Sequence, residues 1–194
     1  MDKNWDTEYK SGAHWEVETS EHAKDFANNY INPNSRILDL GCGSGRDSFY
    51  FSSCGHTVSG IDVSKTAIEK AKKKSPDSTI GIDFLVGNAE DLPYQNVFFD
   101  GVYSGYVLQR TNLKKVASEL NRTTKQNAIV YIVMFEKIDY KDHNKYDLEI
   151  DHKEILSEFK KYFSILKQKT DEYSETDQHG EHMHRRLVLV LEKN

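Results

Sequence analysis

Short apolar runs alternate with helical stripes along most of this chain. Ile37, Leu38 and Leu40 lead straight into glycines 41, 43 and 45, the pattern of a buried strand (36–40) feeding a tight turn. A helix over about 46–54 follows, then Gly55-His56 and a second strand, Thr57 to Ile61, ending at Asp62. Ser64 is placed to cap a helix through Ala67, Ile68 and Ala71 to the lysines at 72–74. Further strands are expected at 82–86, 98–103, 128–135, 163–168 and 187–191. Helices are expected at 15–30 (Trp15, Ala23, Phe26, Tyr30), at 111–123 and at 155–163. The charged segment 136–152 reads as a loop, as does the polar stretch 171–184.

This alternation predicts an α/β fold: a Rossmann-like, doubly wound sheet of seven strands, mostly parallel, with the last antiparallel. In such a sheet the carboxyl ends of the parallel strands carry the ligand. If the last strand returns beside the sixth, the stretch 171–184 falls on that same edge. The expected organisation is a single domain over 1–194: an N-terminal segment (1–34), a ligand-binding core (35–135) and a second part (136–194).

Composition narrows the partners. The net charge is -5 and the lysines are interleaved with acids, which argues against a nucleic-acid or anionic-membrane surface. The longest apolar run, 128–135, is too short to span a bilayer, and the first residues do not read as a signal peptide. Cys42 and Cys54 read as free thiols in a reducing cytoplasm.

Candidate chemistry concentrates after the first strand. The spacing is D-x-G-x-G-x-G, from Asp39 to Gly45; a dinucleotide fingerprint would need a small residue where Arg46 stands. Glycine lets a ligand approach the main chain, and the following helix directs its free N–H groups at the same place. Asp62, 17 residues after the last glycine, can accept hydrogen bonds from both hydroxyls of a ribose. Gly105 after the fourth strand suits another ligand-lined strand end. His182 and His184 share one face if the stretch is a strand, as a zinc-binding pair can. No cysteine or acid cluster completes a recognisable set, so no metal is expected.

The 39–45 motif resembles motif I of the class I S-adenosylmethionine-dependent methyltransferases, of the small single-domain kind. Gly87-Asn88-Ala89-Glu90-Asp91-Leu92-Pro93-Tyr94 is similar to their G-D-A-E-D-L-P-F, with Asn88 for the usual aspartate. Residues 98–110 are similar to F-D-x-V-x-S-x-x-V-L-H-H, with Gln109-Arg110 for the histidine pair. The resemblance implies a methyltransferase moving the methyl of S-adenosylmethionine, by in-line displacement, to a small-molecule acceptor and releasing S-adenosylhomocysteine. The cofactor contacts it implies are Asp39, Gly41, Cys42, Gly43, Ser44, Gly45, Asp62, Val63, Asn88, Ala89, Glu90, Ser104 and Gly105. Tyr9 and Trp15 would form a lid, and His182, His184 or His143 would serve as a general base. The protein would act as a monomer or homodimer. A non-catalytic cofactor-binding module is one alternative; a nicotinamide-dependent oxidoreductase is another, disfavoured by Arg46.

Overall fold

One sheet runs in the order β3-β2-β1-β4-β5-β8-β7. Its members are β1 (Arg36–Leu40), β2 (Thr57–Asp62), β3 (Ile82–Val86), β4 (Phe99–Gly105), β5 (Thr124–Tyr140), β7 (Phe163–Asp177) and β8 (Gly180–Lys193). A two-residue β6 (Leu148–Glu149) pairs with β5 off this path. The structure, a computed structural model, describes residues 5–11, 18–75, 81–140, 148–177 and 180–194. Strands β1 to β5 run parallel to one another, and β8 lies antiparallel between β5 and β7. The doubly wound sheet with an antiparallel return is therefore as the alternation predicts.

Helices cover both faces. On one, α2 (Glu21–Asn29) and α3 (Arg46–Ser53) place Ala23, Phe26 and Phe51 against Ile37, Tyr103, Tyr131, Val133 and Val190. Phe26 meets Phe51 and Tyr131 edge to face, with centroids 5.6 and 5.9 Å apart. Such aromatic pairs each add about 0.5–1.5 kcal/mol beyond the area they bury. On the other face, α5 (Leu113–Thr123) and α6 (His152–Phe159) bury Val116, Ala117, Leu120, Ile155 and Phe159 against Leu38, Val102, Ile132 and Leu189. α4 (Lys65–Lys74) follows β2, capped by Ser64, whose hydroxyl accepts from the Ala67 N–H. The short α1 (Trp5–Ser11) packs against it.

Several boundaries depart from the sequence reading. The helix expected over 15–30 begins at Glu21, because Ser20 takes the cap position and accepts from the His22 N–H; residues 15–17 lie outside the described residues. The helix expected from 111 begins at Leu113, after a 3-10 turn at Leu108–Arg110.

The two expected loops are the larger correction. Strand β5 runs on through Tyr140 past a bulge at Phe135/Lys137, and Leu148–Glu149 returns to pair with Ile138 and Lys137. The buried carboxylate of Glu136, at the bulge, pairs with His152 at the start of α6. The described residues of 171–184 are likewise strand, because β7 and β8 pair from Phe163↔Lys193, past a bulge at Ile165/Lys167, to Asp177↔Gly180. Opposite charges sit directly across this ribbon: Arg186 donates to both oxygens of Asp171 at 2.9 and 2.7 Å, and Arg185 donates to Glu172 at 2.7 Å. Cross-strand pairs of this kind contribute roughly 0.2–1 kcal/mol each. They hold as strand a segment with little apolar surface.

Leu189 is fully buried in the strand shared by β5 and β7, whereas Leu166, beside the bulge of β7, is 51% exposed. Leu189→Ala should cost about 2–5 kcal/mol in urea unfolding. Leu166→Ala should stay within about 0.5 kcal/mol.

Candidate active site

Strand order reverses between β1 and β4, which makes the carboxyl ends of these two strands the switch point of the sheet. The glycine turn leaves β1 here, and the Gly41 and Cys42 N–H groups both donate to the Ile61 carbonyl of β2, at 2.8 and 3.0 Å. Gly41 has φ +76°, and a Cβ there would lie 2.1 Å from Val107 Cγ2 in the segment after β4. The two walls of the crevice thus meet too closely for any side chain at that position. Gly43, at φ +56°, is covered in the same way by Tyr9, whose hydroxyl lies 2.4 Å from where a Cβ would stand.

Asp62 ends β2 and binds the turn to α4. One carboxylate oxygen accepts from the Gly43 N–H at 2.9 Å, the other from the Ser64 N–H at 2.8 Å. A carboxylate has further acceptor positions, so this one can still take hydroxyl donors. Burial raises its pKa, and the neighbouring Asp6 carboxylate adds to the shift. Val63, beside it, is 54% exposed, leaving an apolar side chain open at the rim. The α1 helix closes the other side: Asp6 accepts from the Ser64 hydroxyl at 2.6 Å and the Thr66 N–H at 2.9 Å, so Tyr9 lies over the turn.

Beneath the turn, Asp39 is buried and accepts from the Ser48 hydroxyl of α3. Burial, and after it the charge of Asp47, pushes its pKa up to about 7. Asp47 is itself held by Arg46, at 3.0 and 2.7 Å, and accepts from the Ser20 N–H at 3.0 Å. Lys74 of α4 donates to the Ser44 hydroxyl at 2.8 Å.

The remaining sequence candidates are distributed unevenly. Asn88 and Ala89 follow β3 at the same end of the sheet, and the Asn88 side chain accepts from the Glu90 N–H. The Glu90 carboxylate turns to α5, accepting from the Asn112 N–H at 2.9 Å and pairing with Lys115 at 3.3 Å. The Cys42 thiol packs inward with Ile68, Ala71 and Phe84. At the tip of β4, Ser104 is fully buried and its hydroxyl has no hydrogen-bond partner among the described residues. Gly105 follows it. His182 and His184 are buried neighbours on β8, and Trp15 and His143 lie outside the described residues.

Three residues that the sequence reading did not single out complete the β4 side. Tyr106 has φ +62°, a strained conformation for a residue with a Cβ, and its N–H donates to the Val133 carbonyl at 2.7 Å. Its ring meets Phe135 at 4.7 Å, and its hydroxyl accepts from Arg186 at 3.2 Å. The available signal was position alone: Tyr106 follows the Gly105 strand end, and Arg186 closes the polar stretch expected on this edge.

Comparisons with known proteins show what this chain is similar to. Residues 38–132 match the family model described as a methyltransferase domain. An uncharacterised methyltransferase of Synechocystis is 33% identical over 115 residues, covering 58% of this chain and 52% of its own length. The demethylmenaquinone methyltransferase of Renibacterium salmoninarum is 32% identical over 104 residues, covering 53% of this chain and 42% of its own. The chain spans about half the length of these relatives. A solved S-adenosylmethionine-dependent methyltransferase of Methanosarcina mazei shares the fold, with a TM-score of 0.70 at 21% identity over 91% of this chain and 99% of that one. Residues 38–132 are thus similar to methyltransferase domains, and the chain shares the fold of a solved S-adenosylmethionine-dependent methyltransferase.

The crevice suits that family's cofactor in its chemistry. Asp39, Asp47 and Asp62 gather around the turn, and burial, followed by the charges of Asp47 and Asp62, raises the pKa of Asp39. Such a site favours a ligand carrying a sulfonium and an ammonium group and disfavours a pyrophosphate. The acid also has a measurable consequence for stability. With its native pKa raised from 3.8 to about 7, Asp39 leaves the folded state holding more protons than the unfolded state within that window. Its contribution to stability is complete below pH 3.8 and is lost as pH rises through about 7. In urea unfolding across that range, Asp39→Asn should remove this fall; an unchanged slope would place the titrating group elsewhere.

Proposed function

We propose that this chain binds S-adenosylmethionine at the β1–β4 crevice and transfers its methyl group to a small-molecule acceptor. The observation that carries the reading is the joint placement of the glycine turn and Asp62. One carboxylate holds the Gly43 N–H and the start of α4 at the switch point, inside the segment that matches the family model.

When bound, the cofactor supplies a methyl carbon on a sulfonium, which needs only an aligned nucleophile. Asp62 would accept from the ribose hydroxyls, and Val63, Asn88 and Ala89 would border the adenine. The main chain of Gly41 to Gly45 would pass close to the amino-acid portion. Ser104 and Gly105 would lie beneath the reacting carbon, and Tyr9 would cover the turn from above. The chain's main contribution is then position and exclusion of water, effects that can supply roughly 7–11 kcal/mol.

The acceptor would enter over the ends of β4 and β5. Tyr106, Phe135 and Arg186 border that side, and His22 stands near it on α2. Burial, reinforced by the Arg186 charge, lowers the pKa of His22, so it is neutral near pH 7 and able to take a proton. A small acceptor is supported by the name of one relative, a demethylmenaquinone methyltransferase. We read residues 1–194 as one domain, with 1–34 as the lid side, 35–135 as the cofactor core and 136–194 as the acceptor side.

Calorimetric titration tests this reading. S-adenosylmethionine and S-adenosylhomocysteine should both bind in the micromolar range, and Asp62→Ala should weaken both. Losing two charge-assisted hydrogen bonds at about 1.5–3 kcal/mol each predicts at least about a hundredfold loss of affinity. Absence of binding to the wild type would overturn the proposal, whereas binding without transfer to any of a panel of small acceptors would leave a non-catalytic cofactor module.

A further inference from the structure

Near its Asp177–Gly180 end, the β7–β8 ribbon holds a cluster that methyl transfer does not require. Glu175 and His182 stand directly opposite each other, and His184 stands opposite Tyr173 two residues along. Strand alternation therefore puts all three side chains on one face. One ligand-type atom from each of Glu175, His182 and His184 lies within 4.8 Å of the other two. His184 Nε2 lies 3.5 Å from a Glu175 carboxylate oxygen. Two ligands each bound at about 2.0–2.2 Å in a tetrahedral arrangement would be about 3.4 Å apart.

The histidines are also oriented as ligands usually are. The His184 ring is held between Phe135, at 4.4 Å, and Tyr173, at 5.0 Å, which fixes its plane. His182 meets it edge-on at 4.5 Å and 72°. His182 Nδ1 lies 3.0 Å from the Gly180 carbonyl, an acceptor, so in this contact Nδ1 carries the proton. In the neutral ring, Nε2 then keeps its lone pair, the arrangement that metal-binding histidines owe to a backbone carbonyl behind them. Both imidazoles are buried, while the Glu175 side chain is 44% exposed, leaving an entry path and room for water on an ion.

We infer that Glu175, His182 and His184 form a binding site for a divalent first-row transition cation of the zinc type. Two imidazoles and one carboxylate suit borderline metals such as zinc or ferrous iron. Magnesium and calcium favour all-oxygen sets, which this cluster lacks. The ion would clasp β7 to β8, with further positions open toward the Glu175 side. Phe135 lies against both His184 and Tyr106, so the clasp would sit one ring away from the proposed acceptor side. The site involves no residue of the glycine turn or of Asp62 and stands or falls separately from cofactor binding.

The test is zinc titration of the untagged, chelator-stripped full chain by calorimetry, with metal analysis after dialysis and cobalt(II) spectra as a report on the ligand set. One ion per chain is expected, with the visible cobalt bands of a low-coordinate nitrogen and oxygen site. His184→Ala and Glu175→Gln should each weaken zinc by at least about tenfold. Glu175→Gln also keeps the test valid should the buried His184 variant fail to fold. Asp62→Ala should bind zinc as the wild type does, and Glu175→Gln should keep the wild-type affinity for S-adenosylmethionine. No saturable zinc binding, or binding unchanged by Glu175→Gln and by a folded His184→Ala, would overturn the site and leave His184–Glu175 as an ordinary ion pair.

Discussion

The Asp62 carboxylate is the interaction on which the ligand-binding end of this protein depends. Its two oxygens join the Gly43 N–H to the Ser64 N–H, so that the glycine turn, the tip of β2 and the start of α4 become one unit. Ser64 passes the connection on, through its hydroxyl, to Asp6 of α1. Tyr9 is thereby set over Gly43. A carboxylate held this way is costly to bury, which is why its pKa rises. Hydrogen bonds to the ionised form offset part of that cost, and a ligand offering further donors would offset more.

The same tension appears one layer down. Asp39 is buried under the turn with Asp47 and Asp62 as neighbours, while the Ser48 hydroxyl and the charge of Arg46 favour its ionised form. When ionised together, these acids repel one another. Such a cluster at the switch point fits a crevice arranged for a positively charged ligand, consistent with the match of residues 38–132 to methyltransferase domains. Backbone strain falls in the same region. Gly41 and Gly43 take left-handed angles on one wall and Tyr106 on the other, where the segments after β1 and β4 come together.

The β5–β8–β7 half follows a different physical logic. Its inner part is a conventional buried sheet, with Val188, Leu189, Val190 and Leu191 almost entirely covered. Beyond Arg186 the ribbon is held by side chains paired across strands: Asp171 with Arg186, Glu172 with Arg185, and Tyr173 stacked on His184. A bulge at Phe135/Lys137 carries β5 along with it. The consequence is a polar, aromatic platform beside the tip of β4, in place of two loops.

By itself, the sequence determined the parallel core and the cofactor side. Those features are local: Ile37 to Leu40 running into three glycines, an acid ending the next strand, and Ser64 placed as a cap, each specified by residues within one βαβ unit. The Rossmann-like order and the identity of the motif-bearing turn followed from that patterning. Only the tertiary structure decided that 136–140, 171–177 and 180–184 are strand: Ile138 to Tyr140 pair with residues far along the chain, and 171–177 pair with 180–186 in a hairpin whose mostly polar residues give no apolar alternation. It also decided that Glu90 serves α5, that Tyr9 rests on the turn, and that Glu175 joins two histidines from the neighbouring strand. Register between distant strands governs such meetings, and no local spacing records it.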